Sequence, residues 1–101
     1  MIYFTIVELL DATPDDYENL DRSMALAGFA RTTKSKAGQP YHLPRGVYHS
    51  RSRYHSSEVL AIARAAADSI SRKSEILTIE SAGTRWFPNV ETVNTAQIQE
   101  G

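Results

Sequence analysis

Between Arg45 and His55 the chain interleaves three arginines (Arg45, Arg51, Arg53), two histidines (His49, His55) and two tyrosines (Tyr48, Tyr54). These side chains suit unpaired nucleic acid, because a guanidinium grips phosphate oxygens in a fork and a tyrosine ring offers a face on which a base stacks. Arg31 precedes them in the same acid-free stretch and joins the RNA-binding candidates. Cleaving RNA needs a base for the 2′-hydroxyl, an acid for the leaving oxygen and a cation for the phosphorane. His49 and His55 are the candidate catalytic pair for that reaction without a metal. Asp11 offers a second route, in which a dimer brings two symmetry-related carboxylates together around a divalent cation. The plainer alternatives are a solvated basic loop that balances an acidic helix, and an aspartate that simply ends a strand.

Other chemistries find no residues here. The chain has no cysteine, which removes thiolate nucleophiles, iron–sulfur clusters and cysteine-bound zinc. His42, His49 and His55 follow one another at spacings of seven and six, matching neither a helical i, i+4 pair nor a compact loop of metal ligands. The five glycines form no phosphate-binding loop, dinucleotide fingerprint or nucleophile elbow. No cofactor is expected.

Charge is segregated along the chain. Residues 1–21 hold six acids and no lysine or arginine, whereas residues 22–57 hold seven bases and no acid, inside a chain whose net charge is only −1. That basic segment implies a polyanionic partner, of which single-stranded RNA is the leading one. No apolar run reaches the roughly 20 residues a membrane span needs, so the expectation is a soluble, cytoplasmic protein with no membrane partner.

The elements that must position these residues are legible in outline. Alternating apolar residues over 2–10 predict a first strand with two apolar faces, one of Ile2, Phe4 and Ile6 and the other of Tyr3, Val7 and Leu9. Thr13-Pro14-Asp15-Asp16 opens a helix, Tyr17, Leu20, Met24 and Ala27 give it an apolar stripe, and Gly28 stops it. Phe29–Thr33 predicts a second strand and Tyr41–His49 a third, weakened by Pro40, Pro44 and Gly46 and expected at an edge or broken at Pro44. A second helix begins at Ser56 or Ser57, with Val59, Ile62, Ala66 and Ile70 inward, and Glu75–Ser81 predicts a fourth strand. A short extra strand at 85–87 and a tail over 89–101, frayed or helical, complete the chain, with Tyr17, Tyr41 and the Trp86-Phe87 pair expected in the core.

The order β-α-β-β-α-β over residues 1–88 implies an α+β, ferredoxin-like domain, a four-stranded antiparallel sheet with two helices on one face. The other face would be open, which in so small a domain invites a homodimer.

Several strings carry a family resemblance: Phe4-Thr5-Ile6-Val7-Glu8-Leu9, Asp16-Tyr17-Glu18 with Met24, Gly28-Phe29-Ala30-Arg31-Thr32, Tyr41-His42-Leu43-Pro44, and Ser56-Ser57-Glu58-Val59-Leu60 before an alanine-rich helix. Across roughly residues 3–87 they resemble the GhoS-like family of small bacterial proteins, most closely the branch that carries Tyr-His-Leu-Pro. The resemblance implies a ferredoxin-like fold akin to the CRISPR-associated small endoribonucleases, and an antitoxin that cuts the messenger RNA of a membrane-damaging toxin. It supplies no site residues. The alternative is a non-enzymatic, homodimeric interaction module, whose basic segment docks an acidic surface such as the Asp15 to Asp21 helix.

Overall fold

A computed structural model of the chain describes residues 1–34 and 38–81. Strand β1 (Ile2–Leu9) lies at the centre of a three-stranded antiparallel sheet, between β4 (Val47–Arg51) and β5 (Ser74–Ser81). Helices α1 (Pro14–Leu26) and α2 (Ser56–Asp68) pack on one face of it, and β2 (Thr32–Lys34) pairs with β3 (Pro40–His42) in a separate hairpin. An isolated bridge, in which Ala30 and His49 exchange backbone hydrogen bonds of 2.8 and 2.7 Å, joins the start of that hairpin to β4. Among the described residues no helix is long and apolar enough to cross a membrane.

The period of two along β1 divides the molecule into two sides. Tyr3, Thr5, Val7 and Leu9 are buried beneath the helices, whereas Ile2, Phe4, Ile6 and Glu8 face away from them. Thr5, the polar member of the buried row, is accommodated because its hydroxyl lies 3.1 Å from that of Thr78 directly across the ladder. Leu20 and Met24 of α1 and Val59, Ala63 and Ala67 of α2 close the core. Each fully buried Leu, Met or Val contributes roughly 1.5–3 kcal/mol relative to exposure.

Both ends of α1 follow from local chemistry. The Thr13 side chain accepts from the Asp16 N–H at 3.3 Å while Asp16 accepts from the Thr13 N–H at 2.9 Å, a reciprocal cap. That backbone bond, followed by the Arg72 guanidinium at 2.8 Å, holds the Asp16 carboxyl below its ordinary pKa. At the other end Gly28 has φ +97°, so the Phe29 N–H reaches the Met24 carbonyl at 2.9 Å and the Gly28 N–H that of Ala25 at 3.1 Å. Phe29 and Met24 are both buried, completing a helix stop with its apolar clasp.

One alternative is decided and two expectations are corrected. The strand read over Tyr41–His49 is broken at Pro44, as one of the two expectations for it had it, into β3 and β4, separated by residues 43–46. Pro44 has no N–H for a ladder, its carbonyl instead takes the Val47 N–H at 3.0 Å, and Gly46 turns the chain at φ +82°. The second strand starts at Thr32 instead of Phe29, because Phe29 is used in the helix stop. On α2 the buried row is Val59, Ala63, Ala67 and on to Ile70, while Ile62 is 38% exposed. Tyr3, Tyr48, Leu20 and Met24 already fill the layer, so a row of alanines fits where Ile62 would not. Tyr17 is buried as expected and Tyr41 is half-buried. Trp86, Phe87, the strand at 85–87 and the tail at 89–101 lie outside the described residues.

Gly46 is the most confined of the described glycines. Its carbonyl accepts from the Val7 N–H at 2.7 Å, and a Cβ added there would stand 2.4 Å from the Val7 carbonyl oxygen. Gly28 shares the left-handed backbone but has nothing within 4 Å. Urea unfolding therefore separates the two: Gly28→Ala costs about 1 kcal/mol of backbone strain, and Gly46→Ala costs about 3 kcal/mol or more because a backbone collision is added.

Candidate functional site

The alternation of β4 divides the Arg45 to His55 segment between two environments. Tyr48 and Ser50 point into the helix-covered core, whereas Val47, His49 and Arg51 point to the open side. The open side also carries Ile2, Phe4, Ile6 and Glu8 of β1 and, directly opposite them in register, Ser81, Ile79, Leu77 and Glu75 of β5.

Two of the RNA-binding candidates are engaged by the fold itself, Tyr48 buried and Arg31 half-buried. Tyr48 is fully buried, and its hydroxyl donates to Asp21 Oδ1 of α1 at 2.5 Å. Burial first, then that hydrogen bond and the carboxylate charge, push its phenol far above the ordinary value. Arg31 is tied beside it: Nη1 pairs with Asp21 Oδ2 at 3.0 Å, Nη2 donates to the Leu43 carbonyl at 2.6 Å, and the guanidinium lies 5.7 Å from the centre of the Tyr48 ring. Tyr48 is therefore closed to a ligand, and the half-buried Arg31 is committed to Asp21 and Leu43.

The remaining candidates are spread over the molecule. Arg45, beyond the start of β4, stacks its guanidinium 4.1 Å from the centre of the Tyr17 ring. Arg53, Tyr54 and His55 lie in the exposed loop between β4 and α2. That loop is pinned to the start of β1, since Ser52 and Met1 bond through their backbones at 2.8 and 2.9 Å and the Tyr3 hydroxyl donates to the Tyr54 carbonyl at 2.5 Å. His55 is the N-cap of α2, and its N–H donates to Glu58 Oε1 at 3.2 Å. Asp11 sits in a turn beyond the other end of β1, exposed and at φ +54°. Six residue steps along β1 lead from Tyr3 to Leu9, a span of about 20 Å, so Asp11 and His55 do not share a cleft with each other. Among the described residues no group of three histidines, aspartates or glutamates is placed to hold a metal ion.

His49 is the histidine that the fold places on the sheet with company. Its ring lies 5.5 Å from that of Phe4, its cross-strand partner, at a tilt of 59°. Loss of water around the ring, and secondarily the charge of Arg51, hold its pKa below the ordinary histidine value. A concavity of about 340 Å³ opens beside it, between the edge of the sheet and the β2–β3 hairpin. Arg51 and Lys34 bring two cations to its walls, and Thr32 and Thr33 line it as well. Neither cation forms a salt bridge with a described residue. Lys34 and Phe4 were visible as a base in the acid-free stretch and as an apolar strand residue, but only the strand register and the hairpin bring them to His49. No protein-family model matches the chain, and no curated protein matches it at a significant level.

The depressed pKa of His49 gives a pH dependence with a defined sign. The unfolded chain takes up a proton near the ordinary histidine value of 6.5 while the folded protein still resists it, so stability is complete above that value and declines as pH falls below it. Urea unfolding of wild type should therefore weaken between pH 7.5 and 5, above the range in which the carboxylates titrate. His49→Gln should flatten this decline.

Proposed function

We propose that this protein binds single-stranded RNA on the open side of its sheet, stacking bases on Phe4 and His49 and gripping the backbone with Arg51 and Lys34. The observation that carries this reading is two rings on neighbouring strands, 5.5 Å apart, bordered by a cleft with two cations. Open sheets that read unpaired RNA work in this way, with aromatic residues on adjacent strands taking bases and basic residues taking phosphates. A ferredoxin-like reading of the fold fits the same function. The order β5-β1-β4, with the Ala30–His49 bridge carrying the hairpin alongside, supports taking the hairpin as the fourth member of one sheet.

The resemblance to the GhoS-like family supports an antitoxin that acts on messenger RNA as an endoribonuclease. On this chain the metal-free chemistry would fall to His49 as the base, with its depressed pKa favouring the neutral ring, and to Arg51 as the cation at the phosphorane. His55 and Asp11 are positioning or structural groups in that reading, since neither lines the cleft. The departing 5′-oxygen would take its proton from water in the open cleft while the 2′-oxygen, deprotonated by His49, closes on the phosphorus.

A fluorescently labelled, uridine-rich oligonucleotide titrated at low salt tests the binding. Phe4→Leu should weaken it by roughly 1 kcal/mol or more through lost stacking, and Arg51→Ala and Lys34→Ala should each reduce the salt slope by about one. Wild-type protein that neither retards nor cuts the RNA, with or without magnesium, would sink the proposal. Cutting that resists a chelator and disappears in His49→Gln would assign the catalytic step to the histidine.

A further inference from the structure

The open side of the sheet is apolar beyond the needs of an RNA platform. Leu77 and Ile79 of β5 are 55% and 47% exposed and Ile6 of β1 is 38% exposed, forming one continuous apolar centre with Phe4. Its two ends differ in charge. Glu8 lies directly across the ladder from Glu75, two like charges opposed at one end, while Arg51 lies across from Ile2 at the other. Facing carboxylates at that spacing repel each other, and neither forms a salt bridge with a described residue.

We propose that a second copy of this chain docks on this face, sheet against sheet, about a two-fold axis lying between the sheets and perpendicular to the strands. That axis reverses strand direction across the interface, so the Glu8–Glu75 end of each copy lies against the Arg51 end of the other. A two-fold along the strands would instead set four carboxylates together. The apolar centre is superposed on itself by either axis, and the charged ends choose between them. His49, between the apolar centre and Arg51, enters such an interface as a neutral ring, which its half-buried setting beside Phe4 favours.

This inference does not require RNA binding, and the same face cannot hold RNA and a second copy together. The test is sedimentation equilibrium of the full, nucleic-acid-free protein over a wide concentration range, with circular dichroism to verify folding. Wild type should dimerise reversibly. Leu77→Glu should be monomeric, and Glu8→Lys and Arg51→Glu should each weaken the dimer tenfold or more, since the axis lays each strand on its own copy and brings Glu8 of β1 beside the Arg51 end of the other copy's β4. The double variant Glu8→Lys/Arg51→Glu should recover affinity to within a few-fold of wild type, since it exchanges the charges at both contacts. Wild type that stays monomeric at every concentration, a dimer indifferent to Leu77→Glu, or a Glu8→Lys variant that tightens association would overturn the proposal. So would a double variant no stronger than either single one.

Discussion

One carboxylate determines which side of this protein is which. Asp21 of α1 accepts the Tyr48 hydroxyl with one oxygen and the Arg31 guanidinium with the other, and Arg31 in turn holds the Leu43 carbonyl. Four parts of the chain are thereby joined: the first helix, the segment entering the hairpin, the loop before β4 and β4 itself. A buried phenol without an acceptor costs roughly 1–3 kcal/mol, so the partnership also selects the register of β4. A slip of one residue would turn Tyr48 outward and bring His49 into the core.

The surface chemistry follows from that choice. With Tyr48 inward, Val47, His49 and Arg51 are outward, and they meet the outward row of β1 along a ladder whose partners include Phe4 with His49. Part of the charge segregation is absorbed by the fold, because the acidic helix and the basic segment neutralise each other at Asp21 and Arg31. Arg51 and Lys34 remain for an external anion. A phosphate and a partner's carboxylate would compete for Arg51, so the two proposals together imply linkage: binding RNA would oppose self-association, and self-association would oppose RNA by the same free energy.

The parts of the fold that were legible in the sequence are those decided locally. Thr13, Pro14 and Gly28 place the first helix because capping and a left-handed stop involve residues only a few positions apart. Pro44 and Gly46 announce the break in the third strand for the same reason. The sidedness of the candidate site was not legible. Alternation along Val47–Arg51 says that Tyr48 and His49 lie on opposite faces, but which face is covered depends on Asp21, 27 residues away. Arg31 therefore reads as a phosphate ligand, and Phe4 only as a member of one of the two apolar faces of β1. The inward row of α2 was misplaced because apolar size suggested Ile62, whereas close approach to a layer filled by tyrosines favours Ala63 and Ala67.

The facing of β4 is the point on which the rest turns, and hydroxyl-radical footprinting with residue-level readout measures it directly. Tyr48 should be protected to the level of Tyr3, while Tyr54 and His49 are oxidised readily, and Asp21→Ala should raise the reactivity of Tyr48. Reactivity of Tyr48 equal to that of Tyr54 in the wild-type protein, with His49 protected, would contradict the account.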